Sequence, residues 1–185
     1  MSQFQTKLNE FLRTVRARSD ENAEALALLL DAGKLGVAVG LLRQEIDTFV
    51  RLVYLCAIAP SEAQRLISDF GTGERWRRQA GTGRITDREM VDVATQQYFW
   101  VDVAYRFGCR LIHLSQLHDY ATVDPFTRIP VADTSEIVSY LGSFHGYPDH
   151  DIDMSRFIDL LPAVMNKIRG KVTDCSSTLT QQFAT

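Results

Sequence analysis

The spacing of apolar residues is the feature that most restricts the fold of this chain. Nearly every segment repeats its apolar residues every three or four positions, as Phe4, Leu8, Phe11 and Val15 do at the start. Sustained alternation of apolar and polar residues, which is typical of a half-buried strand, is found nowhere in the sequence. The sequence therefore predicts an all-α protein, an up-and-down bundle of four to five main helices with short flanking helices.

Capping residues divide this pattern into helices. Ser19 is interpreted as the N-cap of a second helix that follows the first amphipathic helix. A long helix is predicted over about 35–59. Thr86 and Glu89 form a capping-box pattern that opens the longest predicted helix, over about 87–118.

Two acidic residues mark later helix starts. Asp133, or Thr134 beside it, is predicted to begin one helix, and Asp153 is predicted to cap the last one. The segment around Pro162 is predicted to be one last helix or a pair of helices kinked at Pro162.

The length and punctuation of the chain predict one domain. At 185 residues the chain is long enough to bury a core of its own. Residues 1–170 are assigned to a single helical-bundle domain, within which residues 71–85 are expected to be a mobile, basic, Gly-rich loop. Residues 171–185 are rich in Ser, Thr and Gln and are predicted to be a polar C-terminal tail.

Composition excludes several classes of protein. The sequence has no secretion signal and no apolar run of membrane-spanning length, so we expect a cytoplasmic protein. Its three separated cysteines suggest neither a disulfide set nor a zinc site. With a net charge of −3, contact with nucleic acid must be local. The candidate RNA-contacting residues lie in the basic loop and are Arg75, Arg77, Arg78 and Arg84.

A polar stripe runs along the longest predicted helix. Asp102, Arg106, Arg110 and His113 follow one another at steps of three or four residues, so they share one narrow face of the helix. Phe99 and Leu117 lie on the same face and bracket these residues along the helix axis.

A second unusual residue is Glu45. It points into the apolar face of the helix at 35–59, where an unpaired carboxylate would cost several kcal/mol. Arg106 or Arg110 is its predicted partner. On the outer face of the same helix, Arg43, Asp47 and Arg51 are interpreted as a surface ladder of ion pairs.

An all-helical bundle with an arginine and a histidine near the end of a late helix resembles the HEPN superfamily. The residues that carry the resemblance are Arg106 and His113, in an Arg-x6-His spacing. Many members of the superfamily are metal-independent ribonucleases of toxin–antitoxin and phage-defence systems. The chain departs from the family in two ways: Phe107 replaces a polar residue that often follows the arginine, and His113 does not begin a His-x-Tyr pattern.

The resemblance implies an endoribonuclease that needs no metal or other cofactor. Arg106 would bind phosphate, His113 would transfer protons, Arg110 would assist and Asp102 would orient Arg106. Because Arg106 and His113 lie about 10 Å apart along one helix, a symmetric homodimer would form the composite site. RNA and a cognate antitoxin or regulatory protein are the further partners implied.

Two alternatives remain open. Asp102 and Arg106 can form a simple ion pair, in which case the chain is a non-catalytic interaction or regulatory protein. The doublets His118-Asp119 and His150-Asp151 are also compatible with an HD-type metal-dependent phosphohydrolase.

Overall fold

The computed structural model describes residues 2–72, 76–79, 83–148 and 151–184, and these residues fold as an all-α protein. The described residues form seven α-helices: α1 (Gln3–Asp31), α2 (Leu35–Ala57), α3 (Pro60–Asp69), α4 (Asp87–Gln97), α5 (Trp100–Ile112), α6 (Val131–His145) and α7 (Met154–Gln182).

Helix α2 lies at the centre of the molecule. It packs against α1, α4, α5 and α7, and most of its residues are buried. Helix α7 also contacts α1 and α6, while α5 lies between α2 and α6. Side chains on α5 therefore face either the central helix or α6, and this division places the polar residues discussed below.

The predicted break at Ser19 does not exist, because α1 is one continuous helix. Its N-cap is Ser2, whose hydroxyl accepts a hydrogen bond from the backbone N–H of Gln5. Ser19 is buried within the helix and its hydroxyl donates to Glu45. Since the hydroxyl serves a tertiary contact and the buried face continues through Asn22 and Leu26, nothing ends the helix at this point.

The longest predicted helix is two helices. Thr86 caps α4 as expected, with its hydroxyl accepting from the N–H of Glu89. The helix then ends at Gln97, and α5 begins at Trp100. The break lets Tyr98 and Trp100 pack on the same ring of α2: Tyr98 meets Phe49 edge-on at 5.0 Å and Trp100 stacks on it at 5.7 Å.

The predicted polar tail is wrong, because residues 171–182 continue α7. Val172, Cys175 and Leu179 recur at helical spacing and are buried, and Phe183 packs edge-on against Phe4. The hydroxyl residues between them bond back to carbonyls one turn earlier. A buried stripe only three residues long thus anchors a segment of polar composition. Helix α7 is one helix that contains Pro162.

The described part of the basic loop is anchored to the core. Trp76 and Ile85 are buried, and the N–H of Ile85 donates to the carbonyl of Trp76 at 2.9 Å. Arg77 and Arg84 face each other in an antiparallel bridge. Residues 73–75 and 80–82, and with them the predicted contact residue Arg75, lie outside the described residues.

None of the helices in the described ranges combines the length and apolar character that crossing a bilayer requires.

Candidate functional site

The predicted polar stripe lies on the face of α5 that meets α6. Arg106 is half-buried there and contacts three carboxylates. Its Nε donates to Asp102 at 2.9 Å, one Nη donates to Glu136 at 2.9 Å, and the other donates to Asp133. The ion pair between Asp102 and Arg106 confirms the sequence prediction, whereas the two partners on α6 were not expected.

The other arginines near this face are paired as well. Arg110 contacts the second carboxylate oxygen of Asp133 at 2.7 Å, and Arg88 on α4 contacts Asp102 at 2.6 Å. Burial by itself would lower the pKa of Arg106, but its bonds to Asp133 and Asp102 outweigh that effect and raise the pKa. The cations of the stripe are therefore neutralised within the chain, which leaves them weakly suited to bind phosphate.

Asp133 is the residue that connects Arg106 to Arg110. It was predicted to start a helix, but α6 begins two residues earlier, after Pro130, which places Asp133 in the first turn. There it is buried and faces α5. An aspartate in a first turn is common because it complements the helix dipole, so the sequence offers no signal of this tertiary pairing.

His113 is separated from the arginines. Helix α5 ends at Ile112. Beyond this end, the hydroxyl of Ser115 donates a hydrogen bond to the carbonyl of Arg110 at 2.6 Å. The His113 side chain is exposed, and its imidazole makes no hydrogen bond or ion pair with any residue in the described part of the chain. Arg106 thus lies on α5, whereas His113 follows its last residue, and the two side chains do not share a site.

The predicted bracketing of the stripe is half correct. Phe99 is 61% exposed, but Leu117 is buried in a short turn after α5 and cannot border a surface. Leu114 at 97% exposure and Val131 at 82% are strongly exposed apolar residues near the ends of α5 and α6 where Arg110 meets Asp133.

Glu45 does not meet an arginine of the stripe, so that prediction is wrong. Its fully buried carboxylate accepts from the hydroxyl of Ser19 at 2.6 Å and from the amide of Asn22 at 2.9 Å, both on α1. Arg106 and Arg110 point to α6 and are therefore on the other side of α5. Two neutral donors replace the cation that the sequence suggested.

The predicted ion pairs on α2 form, with Arg43 at 3.8 Å and Arg51 at 3.1 Å from Asp47, but Arg43 is only 7% exposed and so does not lie on the surface. It points toward α5, where its guanidinium lies over the ring of Tyr105 and donates a hydrogen bond to the sulfur of Cys109. The signal in the sequence was the glycine at 108, which leaves room for a long side chain beside α5.

Two of the predicted RNA-contacting arginines in the basic loop are exposed and have no ion pair among the described residues. Arg77 and Arg84 are exposed, while Arg78 pairs with Glu89 at 2.6 Å. Arg77 and Arg84 therefore remain the predicted RNA contacts that carry unneutralised charge among the described residues of the loop.

The residues of the metal-hydrolase alternative are dispersed. His118 bonds to the backbone of Ser115, and Asp153 caps α7 as predicted, accepting from the N–H of Arg156 at 2.8 Å. His150 lies outside the described residues. The described ranges contain no group of three or more His, Cys, Asp or Glu side chains placed to hold a metal ion.

Comparisons of the chain with protein-family models, with curated proteins and with solved structures found no significant match.

Proposed function

We propose that the chain is a non-catalytic interaction protein that forms a homodimer through the face shared by α5 and α6. The observation that carries this proposal is the pairing of Arg106 with three carboxylates of its own chain. A phosphate-binding arginine needs free donors, whereas a neutralised charge network is compatible with burial against a second protein surface.

The ends of this face support pairing with a second copy. One end carries the exposed Phe99, whose ring lies 5.9 Å from that of Phe144. The other end carries the exposed Leu114 and Val131. A two-fold axis through the middle of α5 brings opposite ends together, so apolar residues of one copy meet apolar residues of the other.

The charges on this face follow the same symmetry. Glu136 lies toward the Phe99 end, whereas Arg110 and His113 lie toward the other end. The two-fold operation places Glu136 of each copy toward Arg110 and His113 of its partner, while Glu136 and Arg110 keep their ion pairs within their own chains. The face is therefore self-complementary in the placement of its apolar ends.

The finer fold assignment belongs to the same proposal. We infer an up-and-down bundle of HEPN type with α1, α2, α5 and α7 as its main helices, supported by the packing of α2 on the other three and of α1 on α7. We also propose that the protein works in the cytoplasm and that the dimer binds a regulatory partner protein.

Measurement of molar mass in solution tests the interface. We expect the wild type to be a dimer and the Leu114→Asp and Phe99→Asp variants to be monomers with unchanged helical circular dichroism. Leu28→Asp is the matched control, because Leu28 is 70% exposed on α1, away from this face. A monomeric wild type, or equal dissociation of the Leu28→Asp variant, would show that the proposed interface is wrong.

Endoribonuclease activity of HEPN type is the second candidate, and the free imidazole of His113 favours it. Histidine can transfer the protons that RNA cleavage by its own 2′-OH requires, with no metal. In an antiparallel dimer, His113 of one copy can approach an arginine of the other.

Expression of the wild type, His113→Ala and Arg106→Ala, followed by measurement of growth and RNA integrity, separates the two candidates. The nuclease candidate predicts RNA damage that His113→Ala abolishes and that EDTA leaves unchanged. Since His113 is exposed, its replacement should leave the fold intact. Intact RNA on expression of a folded wild type contradicts this candidate and agrees with the interaction role.

A further inference from the structure

A groove of about 660 Å³ lies on the side of α5 that faces away from α6. The first half of α2 and the end of α5 form its walls, and α1 contributes Arg18 at its edge. Its volume is within the range of small-molecule sites in proteins. The residues that matter for its chemistry are Arg18, Val37, Arg43, Ile112, His118 and Tyr120.

Arg43 lines this groove and packs on Tyr105, Gly108 and Cys109 of α5, which together form the Arg43 seat. Its guanidinium lies 3.7 Å from the centre of the Tyr105 ring, and its Nε donates to the sulfur of Cys109 at 3.4 Å. A Cβ at Gly108 would lie 2.8 Å from the Cβ of Arg43. Three residues on one face of α5 therefore fix the position of a buried cation.

The charge of Arg43 is weakly compensated. Its nearest carboxylate is Asp47, at 3.8 Å. Asp47 lies closer to Arg51, at 3.1 Å, and Arg51 also binds Asp87 at 3.0 Å. Both aspartates that line the groove bind Arg51 at about 3 Å, so neither makes a close ion pair with Arg43.

Arg18 adds a second available cation. Its side chain is exposed at the edge of the groove and forms no ion pair within the described part of the chain. Three arginines and two aspartates line the groove, which makes it locally positive in a protein whose net charge is −3. Arginine binds phosphate oxygens through two parallel hydrogen bonds.

The rest of the groove is apolar and aromatic. Val37 and Ile112 are exposed there, and Tyr120 lies against α2 at Gly36, where an added Cβ would be 3.3 Å from the tyrosine ring. Gly36 allows this close approach, and His118 also lines the groove. Aromatic rings and flat apolar walls are suited to stacking a nucleobase.

We propose that this groove binds a nucleoside phosphate, with the phosphoryl group at Arg43 and Arg18 and the base against Tyr120, Ile112 and Val37. The groove lies on a different side of α5 from the face shared by α5 and α6 through which the homodimer is proposed to form. The nucleotide-binding proposal therefore does not depend on the proposed function. The chemistry is shared by a free nucleotide and by a nucleotide unit of RNA.

Calorimetric titration of the full chain distinguishes these two sources. The probes are the four nucleoside monophosphates, adenosine, inorganic phosphate and a short single-stranded RNA. We expect a monophosphate to bind more tightly than adenosine or phosphate alone. Binding of RNA with higher affinity than the monophosphate, and with the same sensitivity to Arg18, would identify RNA as the source.

Two variants and one control locate the site. Arg18→Glu should weaken binding by at least about tenfold, since a hydrogen bond to a charged group is lost and repulsion replaces it. Arg43→Met should abolish saturable binding while circular dichroism confirms the fold. Arg13→Glu makes the same charge change on α1 outside the groove and should leave binding unchanged.

Saturable binding that depends on Arg18 and Arg43 but not on Arg13 supports the site. No saturation with any probe, or equal weakening by Arg13→Glu, overturns it.

Discussion

Arg106 and Arg43 contact opposite faces of α5, and they satisfy their charges in different ways. Arg106 is half-buried and meets carboxylates of Asp102, Asp133 and Glu136. Arg43 is more deeply buried, yet its nearest carboxylate is 3.8 Å away and is shared with Arg51. The two arginines therefore differ in the number of close carboxylates as well as in the depth of burial.

This difference has an energetic consequence. Removing one partner of a buried ion pair leaves the other charges unpaired and is destabilising. Removing a buried cation that has no close carboxylate leaves less charge newly unpaired. The two arginines should therefore respond to the same substitution to different extents.

The largest expected effect comes from Arg106→Met. We expect a loss of about 2 kcal/mol in the free energy of unfolding, because three carboxylates lose their shared cation. Arg43→Met should change the free energy by less than about 1 kcal/mol. Urea denaturation of both variants measures the contrast. A loss at Arg43 as large as that at Arg106 would mean that Tyr105 and Cys109 fully satisfy the buried cation, and would remove the distinction.

The two carboxylates of α6 that bind Arg106 should contribute different amounts to stability. Asp133 is buried and bonds both Arg106 and Arg110, while Glu136 is exposed and bonds Arg106 alone. We expect Asp133→Asn to cost about 1.5 kcal/mol and Glu136→Gln less than about 0.5 kcal/mol, since exposed pairs contribute little. Equal losses of unfolding free energy in urea denaturation would show that Asp133 contributes no more to stability than Glu136 does.

Two glycines sharpen the description of the Arg43 seat. Gly108→Ala should destabilise by about 1 kcal/mol, because the added methyl group would press on the stem of Arg43. Gly170→Ala is the matched helical control, since nothing lies within 4 Å of the added carbon. It should stabilise the protein by up to about 1 kcal/mol. Thermal unfolding of both variants tests the pair, and a stabilised Gly108→Ala variant would argue against a tight seat.

Salt should produce the smallest effect. The Arg106 network is partly exposed, so raising the ionic strength should reduce the cost of Arg106→Met by about 0.5 kcal/mol. The effect of Arg43→Met should change less with salt, because Arg43 is only 7% exposed and has no close carboxylate partner. Repeating the urea denaturation at two ionic strengths compares them, and equal responses would indicate that both sites are equally screened.

Local signals in the sequence were reliable where the chain uses them locally. The caps at Thr86 and Asp153 and the ion pair between Asp102 and Arg106 join residues within one turn, and all three are confirmed. Ser19 shows the limit of such signals. It has the composition of a cap, but a carboxylate on another helix binds its hydroxyl and the helix continues.

The extents of α4, α5 and α7 were also predicted wrongly, because contacts with other helices decide them. A continuous apolar pattern at 87–118 suggested one helix, yet packing of Tyr98 and Trp100 on Phe49 accompanies a break. A polar composition after residue 170 suggested a tail, yet three buried residues hold it as helix. Periodicity reports which residues can be buried, and the neighbouring helices decide which are.

The sequence by itself determined the all-α class and the residue types of the polar stripe, because helical spacing and i, i+4 pairing are properties of a single helix. Only the tertiary structure decided that Glu45 meets Ser19 and Asn22, that Asp133 neutralises Arg106 and Arg110, and that Arg43 faces a groove. These contacts join side chains from different helices, and their energies depend on distances that spacing along the chain does not encode.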